Sequence, residues 1–202
     1  MRHDSTLDFH ENIIRTLIES EFVMEVLHRL FFALKPQVRE ARLIGLARDQ
    51  IGGAHSGVTN DRLHMTLGIS NDYRHLGDAL VDRMMAIGGT IQGEPVPVRL
   101  DRLSGGARSV ALRPTGQPHQ LADLQHQIGR LVDYWGITRT DWAFNPHVTL
   151  LYWNGQPFIR PMAPIAWQAE EFVLIHSRVG ATRHNILGRW PLVQRQRSLA
   201  LF

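Results

Sequence analysis

The sequence predicts an α+β fold built from two similar halves, and three observations carry that expectation. Strand-like and helix-like segments follow one another without the strict alternation of a doubly wound parallel sheet. The pattern His-x-Thr-Leu occurs twice, as His64-Met65-Thr66-Leu67 and His147-Val148-Thr149-Leu150, each time downstream of a strand and a helix, as a duplicated half-domain would place it. At 202 residues, with 44% hydrophobic and 20% charged side chains, the chain suits one domain with a substantial core.

In chain order, residues 8 to 27 set Ile13, Ile14, Leu17 and Ile18 at helical spacing behind Asp8 and Glu11, which are placed as a capping pair. This amphipathic helix falls in an N-terminal extension, residues 1 to 28, where Met24 offers an alternative translation start. The apolar run 29 to 36, ended by Pro36, predicts the buried strand that opens the main domain, residues 29 to 193. Residues 38 to 51 carry Val38, Ala41, Leu43, Ile44 and Leu46 in a helix-like pattern. A turn-rich stretch, 52 to 61, leads into a strand over 63 to 70. Residues 72 to 89 predict a second helix closed by glycine. Residues 95 to 114 predict two strands joined by a Gly-Gly turn, with Val96, Val98 and Leu100 alternating against polar neighbours. A third helix over 119 to 136 has Leu121, Leu124, Ile128, Leu131 and Val132 on one side. Strands over 144 to 153, 170 to 179 and 184 to 193 complete the domain, and 194 to 202 form a tail.

Composition narrows the chemistry. Cysteine is absent, which excludes disulfides and thiolate catalysis and fits a reducing compartment. No apolar run reaches the roughly 18 to 20 residues needed to cross a bilayer, and the start MRHDSTLDFHENIIR is too charged for a secretory signal. A cytoplasmic protein without membrane association is expected. The net charge of +3 is carried almost wholly by arginine, with Lys35 the single lysine. Guanidinium forks suit phosphate, although a GC-rich genome yields the same bias. The eleven histidines contain no His-x-x-x-His or His-Glu-x-x-His pair, so no metal site is expected.

The repeated pattern points to phosphoryl chemistry. Strand alternation puts His64 with Thr66, and His147 with Thr149, on one face, with Met65, Leu67, Val148 and Leu150 behind them. Two such halves facing each other make a cleft with two imidazoles and two hydroxyls. Hydrolysing a phosphodiester without metal needs a base for the attacking water and an acid for the leaving oxygen, and histidine serves either role near neutrality. Threonine hydroxyls can donate to the non-bridging oxygens.

With the strand RLFFALKP ahead of the first motif, FNPHVTL at the second and SRVGATRHNILGRWPL near the end, the chain resembles the 2H phosphoesterase superfamily from about Arg29 to Val193. Within it, it is most similar to the bacterial RNA 2′,3′-cyclic phosphodiesterases, historically called 2′-5′ RNA ligases. The resemblance implies a bilobal fold with pseudo-twofold symmetry, two antiparallel sheets lining a central cleft, helices outside, and no metal or organic cofactor. It implies hydrolysis of RNA 2′,3′-cyclic phosphate ends to 2′-phosphomonoesters, with His64 the proton donor, His147 the proton acceptor, and Thr66 and Thr149 on the phosphate. The alternatives are another small cyclic nucleotide as substrate, or a non-catalytic RNA- or nucleotide-binding protein that keeps the cleft. The expected partners are therefore RNA 3′ ends or small cyclic nucleotides, and the oligomeric state is left open, with a monomer allowed.

Three departures from the family pattern bear on binding. Tyr152 stands where relatives commonly carry an arginine, Ile69-Ser70-Asn71 replaces a familiar Phe-Leu-Gly, and His184 stands where a tyrosine often precedes the final strand. Arg62 or another cleft arginine is expected to replace the lost cation. Phe144 and Trp142 are candidates for stacking on a base, with Arg62, Phe144 and Tyr152 as substrate-binding residues. His55, His75, His119, His126 and His176 are read as structural.

Overall fold

The computed structural model describes residues 26–51, 57–152, 155–181 and 183–194. The expected helix over residues 8 to 27 and the tail lie largely outside the described residues. Leu27 does not continue that helix: it opens strand β1 (Leu27–Leu34), which starts two residues earlier than the apolar run implied. Helix α1 (Val38–Asp49) follows, then a 3-10 turn (Asn60–Arg62), β2 (Met65–Ile69) and α2 (Asp78–Thr90). The hairpin β3 (Val96–Gly105) and β4 (Ser109–Arg113) leads to α3 (His119–Tyr134) and β5 (Val148–Tyr152). Strands β6 (Phe158–Ala169), β7 (Glu171–Val179) and β8 (Arg183–Pro191) complete the fold.

Strand β6 is not foreshadowed in the sequence reading. Pro161 and Pro164 break its pattern, and proline is tolerated in a sheet only where no ladder N–H is needed. The strand lies at the edge of its sheet, pairing with β3 alone, which removes that conflict. Helix α2 starts at Asp78 rather than 72, because Asp72 and Tyr73 are occupied by side-chain and backbone bonds to Arg29 and His28. Of the apolar positions expected on α1, Ala41 and Ile44 are buried, whereas Val38, Leu43 and Leu46 face outward at 72, 41 and 60% exposure.

All strand pairs are antiparallel, in two four-stranded sheets of order β2-β1-β7-β8 and β5-β4-β3-β6. The halves repeat each other: β1-α1-β2 and β4-α3-β5 each place a motif strand at a sheet edge. Their helices are exchanged. Helix α3 packs on β2 of the first sheet, and α1 packs on β5 of the second. The contact is close enough that a Cβ on Gly68 would come within 2.9 Å of Ile128 Cγ2. The two exposed motif edges are capped by chain from the opposite half, Gly57 bridging Leu151 and Thr138 bridging Ser70, which blunts an edge that would otherwise invite pairing.

One continuous core joins both sheets, with Phe32, Leu34, Met65 and Leu67 from the first, Leu100, Leu112, Val148 and Leu150 from the second, and the α3 stripe Leu121, Leu124, Ile128 and Val132 between them. Burial of each such side chain stabilises the fold by about 1.5–3 kcal/mol. A smaller cluster of Phe31, Ala33, Val173 and Ile175 lies on the opposite face of the first sheet. Among the described residues, no helix is long and apolar enough to cross a membrane.

Candidate active site

The two motif histidines stand one residue ahead of their strands rather than inside them. His64 precedes β2 and His147 precedes β5. In both strands the register slips at the same point, so that Ala33 faces Thr66 and Ala111 faces Thr149, and the motif leucines, Leu67 and Leu150, become the extra residues. Such bulges re-aim neighbouring side chains. Here they leave a methyl opposite each threonine, and with it room above the sheet.

A cleft of about 590 Å³ is lined by all four motif residues, His64, Thr66, His147 and Thr149. That volume suits a small organic ligand. Each imidazole is fixed in the same way. His64 Nδ1 lies 2.7 Å from the Arg62 carbonyl and His147 Nδ1 2.6 Å from the Asn145 carbonyl, two residues upstream in each case. A carbonyl only accepts, so Nδ1 carries the proton in both rings and Nε2 is left for the ligand. His64 is also packed between Phe31, at 4.7 Å between ring centroids, and His184, at 5.3 Å edge-on.

Burial governs the charge state of these rings. Desolvation pushes His64 down to about 3, against the partly opposing bond from the Arg62 carbonyl, with His184, Lys35 and His147 adding to the fall. His184 is pushed down to about 4, by burial first and then by the Arg62 charge. His147 is lowered by burial and by the Arg113 charge, with the Asn145 bond opposing. All three are neutral in the open cleft at neutral pH.

Cations surround the rings. Arg29, Arg62, Arg139 and Arg178 line the cleft. Arg29 binds both oxygens of Asp72 at 2.5 and 2.6 Å, and Arg139 reaches Asp72 at 3.3 Å and Asp141 at 2.7 Å. The Arg29 bond holds the Asp72 carboxyl below the usual range. Arg62 and Arg178 form no ion pair among the described residues, and their buried Nε atoms, like His184 Nδ1, lack a hydrogen-bond partner there. Both guanidinium groups line the cleft with their charge unneutralised, which suits an anionic ligand there. Among the described residues no group of three His, Asp or Glu converges as metal ligands would.

Of the residues singled out for binding, Arg62 and Tyr152 line the cleft, Tyr152 at 56% exposure. Phe144 is not among the lining residues: it packs partly buried on the core, and Trp142, its neighbour at 6.3 Å, takes the place at the cleft wall. His176 bonds His28 at 2.9 Å. His75, His119 and His126 line no part of the cleft, and His55 lies outside the described residues. Ser177 and Arg178 open the stretch SRVGATRHNILGRWPL that carries part of the resemblance, although neither was singled out, and Arg139 has no motif to announce it.

No protein-family model and no curated protein sequence matches the chain. Solved structures do. E. coli LigT complexed with 3′-AMP aligns at a TM-score of 0.74 and 24% identity, over 83% of this chain and 99% of that one. A phosphoesterase aligns at 0.70 and 24% over the same shares, and TT0787 of Thermus thermophilus at 0.65 and 17%, over 81% of this chain and 97% of that one. The chain therefore has the LigT fold.

Proposed function

We propose that the chain is a 2H phosphoesterase that hydrolyses 2′,3′-cyclic phosphates at RNA ends, or on small nucleotides, to 2′-phosphomonoesters without a metal. The observation that carries this reading is the mirrored pair of His–Thr sets in one cleft, each imidazole fixed through Nδ1 to a carbonyl two residues upstream and offering Nε2 inward. Fold likeness to a phosphoesterase and to LigT supports it, as do the LigT complexes with 3′-AMP, ATP, NADP+ and phosphate, which make nucleotides the fitting ligands.

In this mechanism the cyclic phosphate lies between the two rings. Neutral His147 Nε2 takes a proton from water as its oxygen bonds to phosphorus, and protonated His64 Nε2 gives a proton to the 3′ oxygen as the P–O3′ bond breaks. One proton enters the pair and one leaves it. Thr66 and Thr149 donate to the non-bridging oxygens, and Arg62 and Arg178 balance the charge gathering there. His64 is neutral in the open cleft, so the substrate's own negative charge must bring it into its donor form.

Hydrolysis of a nucleoside 2′,3′-cyclic phosphate in H₂¹⁸O tests the scheme. A 2′-monophosphate carrying one ¹⁸O is expected; a 3′-monophosphate would reverse the assignment of the leaving oxygen, and no product from mononucleotide or RNA substrate would contradict the activity.

A further inference from the structure

The internal repeat extends beyond the histidine motifs. Residues 33 to 36 read Ala-Leu-Lys-Pro and residues 111 to 114 read Ala-Leu-Arg-Pro. The register makes them equivalent. Ala33 and Leu34 face Thr66 and Met65, and Ala111 and Leu112 face Thr149 and Val148, so Lys35 and Arg113 each come next, level with a motif histidine. The following proline disfavours the helical region for each cation, keeping its backbone extended and its side chain on the same face as the preceding alanine.

Both cations hold the chain that enters a motif. Lys35 Nζ donates to the Asp61 carbonyl at 2.5 Å and the Leu63 carbonyl at 3.3 Å, the two that flank the Arg62 carbonyl bonded by His64. Arg113 donates through one terminal nitrogen to Asn145 Oδ1 at 2.6 Å, and through Nε to Ser104 Oγ at 2.7 Å. Asn145 supplies the carbonyl bonded by His147. Neither cation lines the cleft. We propose, on the two-histidine reading above, that Lys35 and Arg113 are matched positioning residues, one per half, that brace the carbonyl fixing each motif imidazole and so set its tautomer and its aim.

The carbonyl bonds favour each imidazolium, and the charges of the bracing cations oppose them. Lys35 from just past β1, His184 from β8 and His147 from just ahead of β5 face His64 and disfavour its protonated form, while Arg113 from β4 does so at His147. Lys35 itself is faced by Asp61 and Arg189.

Imidazole ¹⁵N spectra across pH, on wild type, Lys35→Met, Arg113→Met, Lys35→Arg and Arg113→Lys, read the effect without substrate. The wild type should show both rings protonated at Nδ1. Lys35→Met should raise the Nε2-protonated fraction of neutral His64 and leave His147 unchanged, and Arg113→Met should do the same to His147 alone. On a 2′,3′-cyclic nucleotide, kcat should fall at least tenfold in each methionine variant with KM within about twofold, and the charge-keeping exchanges should restore most of it. Neutral rings that keep Nδ1 protonated to the wild-type extent in both methionine variants overturn the proposal, as do charge-keeping exchanges as damaging as methionine. If a methionine variant fails to fold, the wild-type spectrum decides: a ring protonated at Nε2 overturns the bracing role. A protein that turns over no cyclic phosphate contradicts the activity and leaves this readout standing, so the two failures are distinguishable.

Discussion

An anion in the cleft should change the charge of His64. Burial holds this ring down to about 3. A unit negative charge at about 4 Å, at an effective dielectric constant of about 20, favours the imidazolium by about 4 kcal/mol, or roughly 3 pKa units. The His64 titration in the complex then lies near pH 6. Perchlorate is a clean probe, because it is a tetrahedral monoanion whose charge is constant over the range of interest. Its affinity should be flat from pH 8 to about 6.5 and then rise, approaching tenfold for each further unit of acidification, as binding takes up a proton. Calorimetric titration at pH 7.5, 6 and 5 measures this, and buffers of different ionisation enthalpy count the protons directly. His64→Asn should bind perchlorate with a much smaller slope. A flat affinity between pH 6 and pH 5, or an undiminished slope in the variant, would refute the reasoning, and with it the route by which the substrate arms its own proton donor.

Other expectations follow from the same geometry. Stability should decline on acidification, because histidines held neutral in the fold and free to titrate near 6.5 when unfolded bind fewer protons in the native state. The contribution of His64 and His184 is complete above about pH 6.5 and is lost towards about 3 and about 4, at up to ~1.4 kcal/mol per unit for each, less at partly exposed His184; urea unfolding at pH 7, 6 and 5 measures it, and a flat profile contradicts it. Gly88→Ala should destabilise by about 1–3 kcal/mol, since the added Cβ would lie 2.3 Å from Trp190, whose ring stacks on Phe172 at 5.2 Å; an unchanged thermal midpoint would show that Trp190 has room to move. Asp72→Asn should release Arg29 and Arg139 into the cleft and tighten sulfate binding several-fold at low salt, with the gain shrinking as salt screens it. Unchanged binding would mean that the two guanidinium groups do not face the anion.

The part of this design that repeats or alternates along the chain could be read from it. His64-x-Thr66 and His147-x-Thr149 were visible as matching patterns, and the α3 stripe fell where its spacing placed it. Features that depend on neighbours were not. Strand β6 escaped because Pro161 and Pro164 disqualify a central strand, and nothing in the chain says that this one lies at an edge. Choosing between Trp142 and Phe144 for the cleft wall turns on which ring the core admits, a matter of packing. The Ala-Leu-Lys-Pro and Ala-Leu-Arg-Pro repeat was in plain view, yet only the strand register sets its cations level with the histidines. The low titration of His64 needs Phe31, Lys35 and His184 around it, from two stretches of chain remote from the motif.

The central claim is that two imidazoles divide the proton transfers between them, and the most direct measurement is turnover of an RNA bearing a 2′,3′-cyclic phosphate end, in EDTA, by the wild type, His64→Ala and His147→Ala. The account predicts activity in the wild type that chelator leaves intact, and a loss of about 10²- to 10⁴-fold in each variant. Chelator-sensitive turnover, or either variant working at close to the wild-type rate, would contradict it.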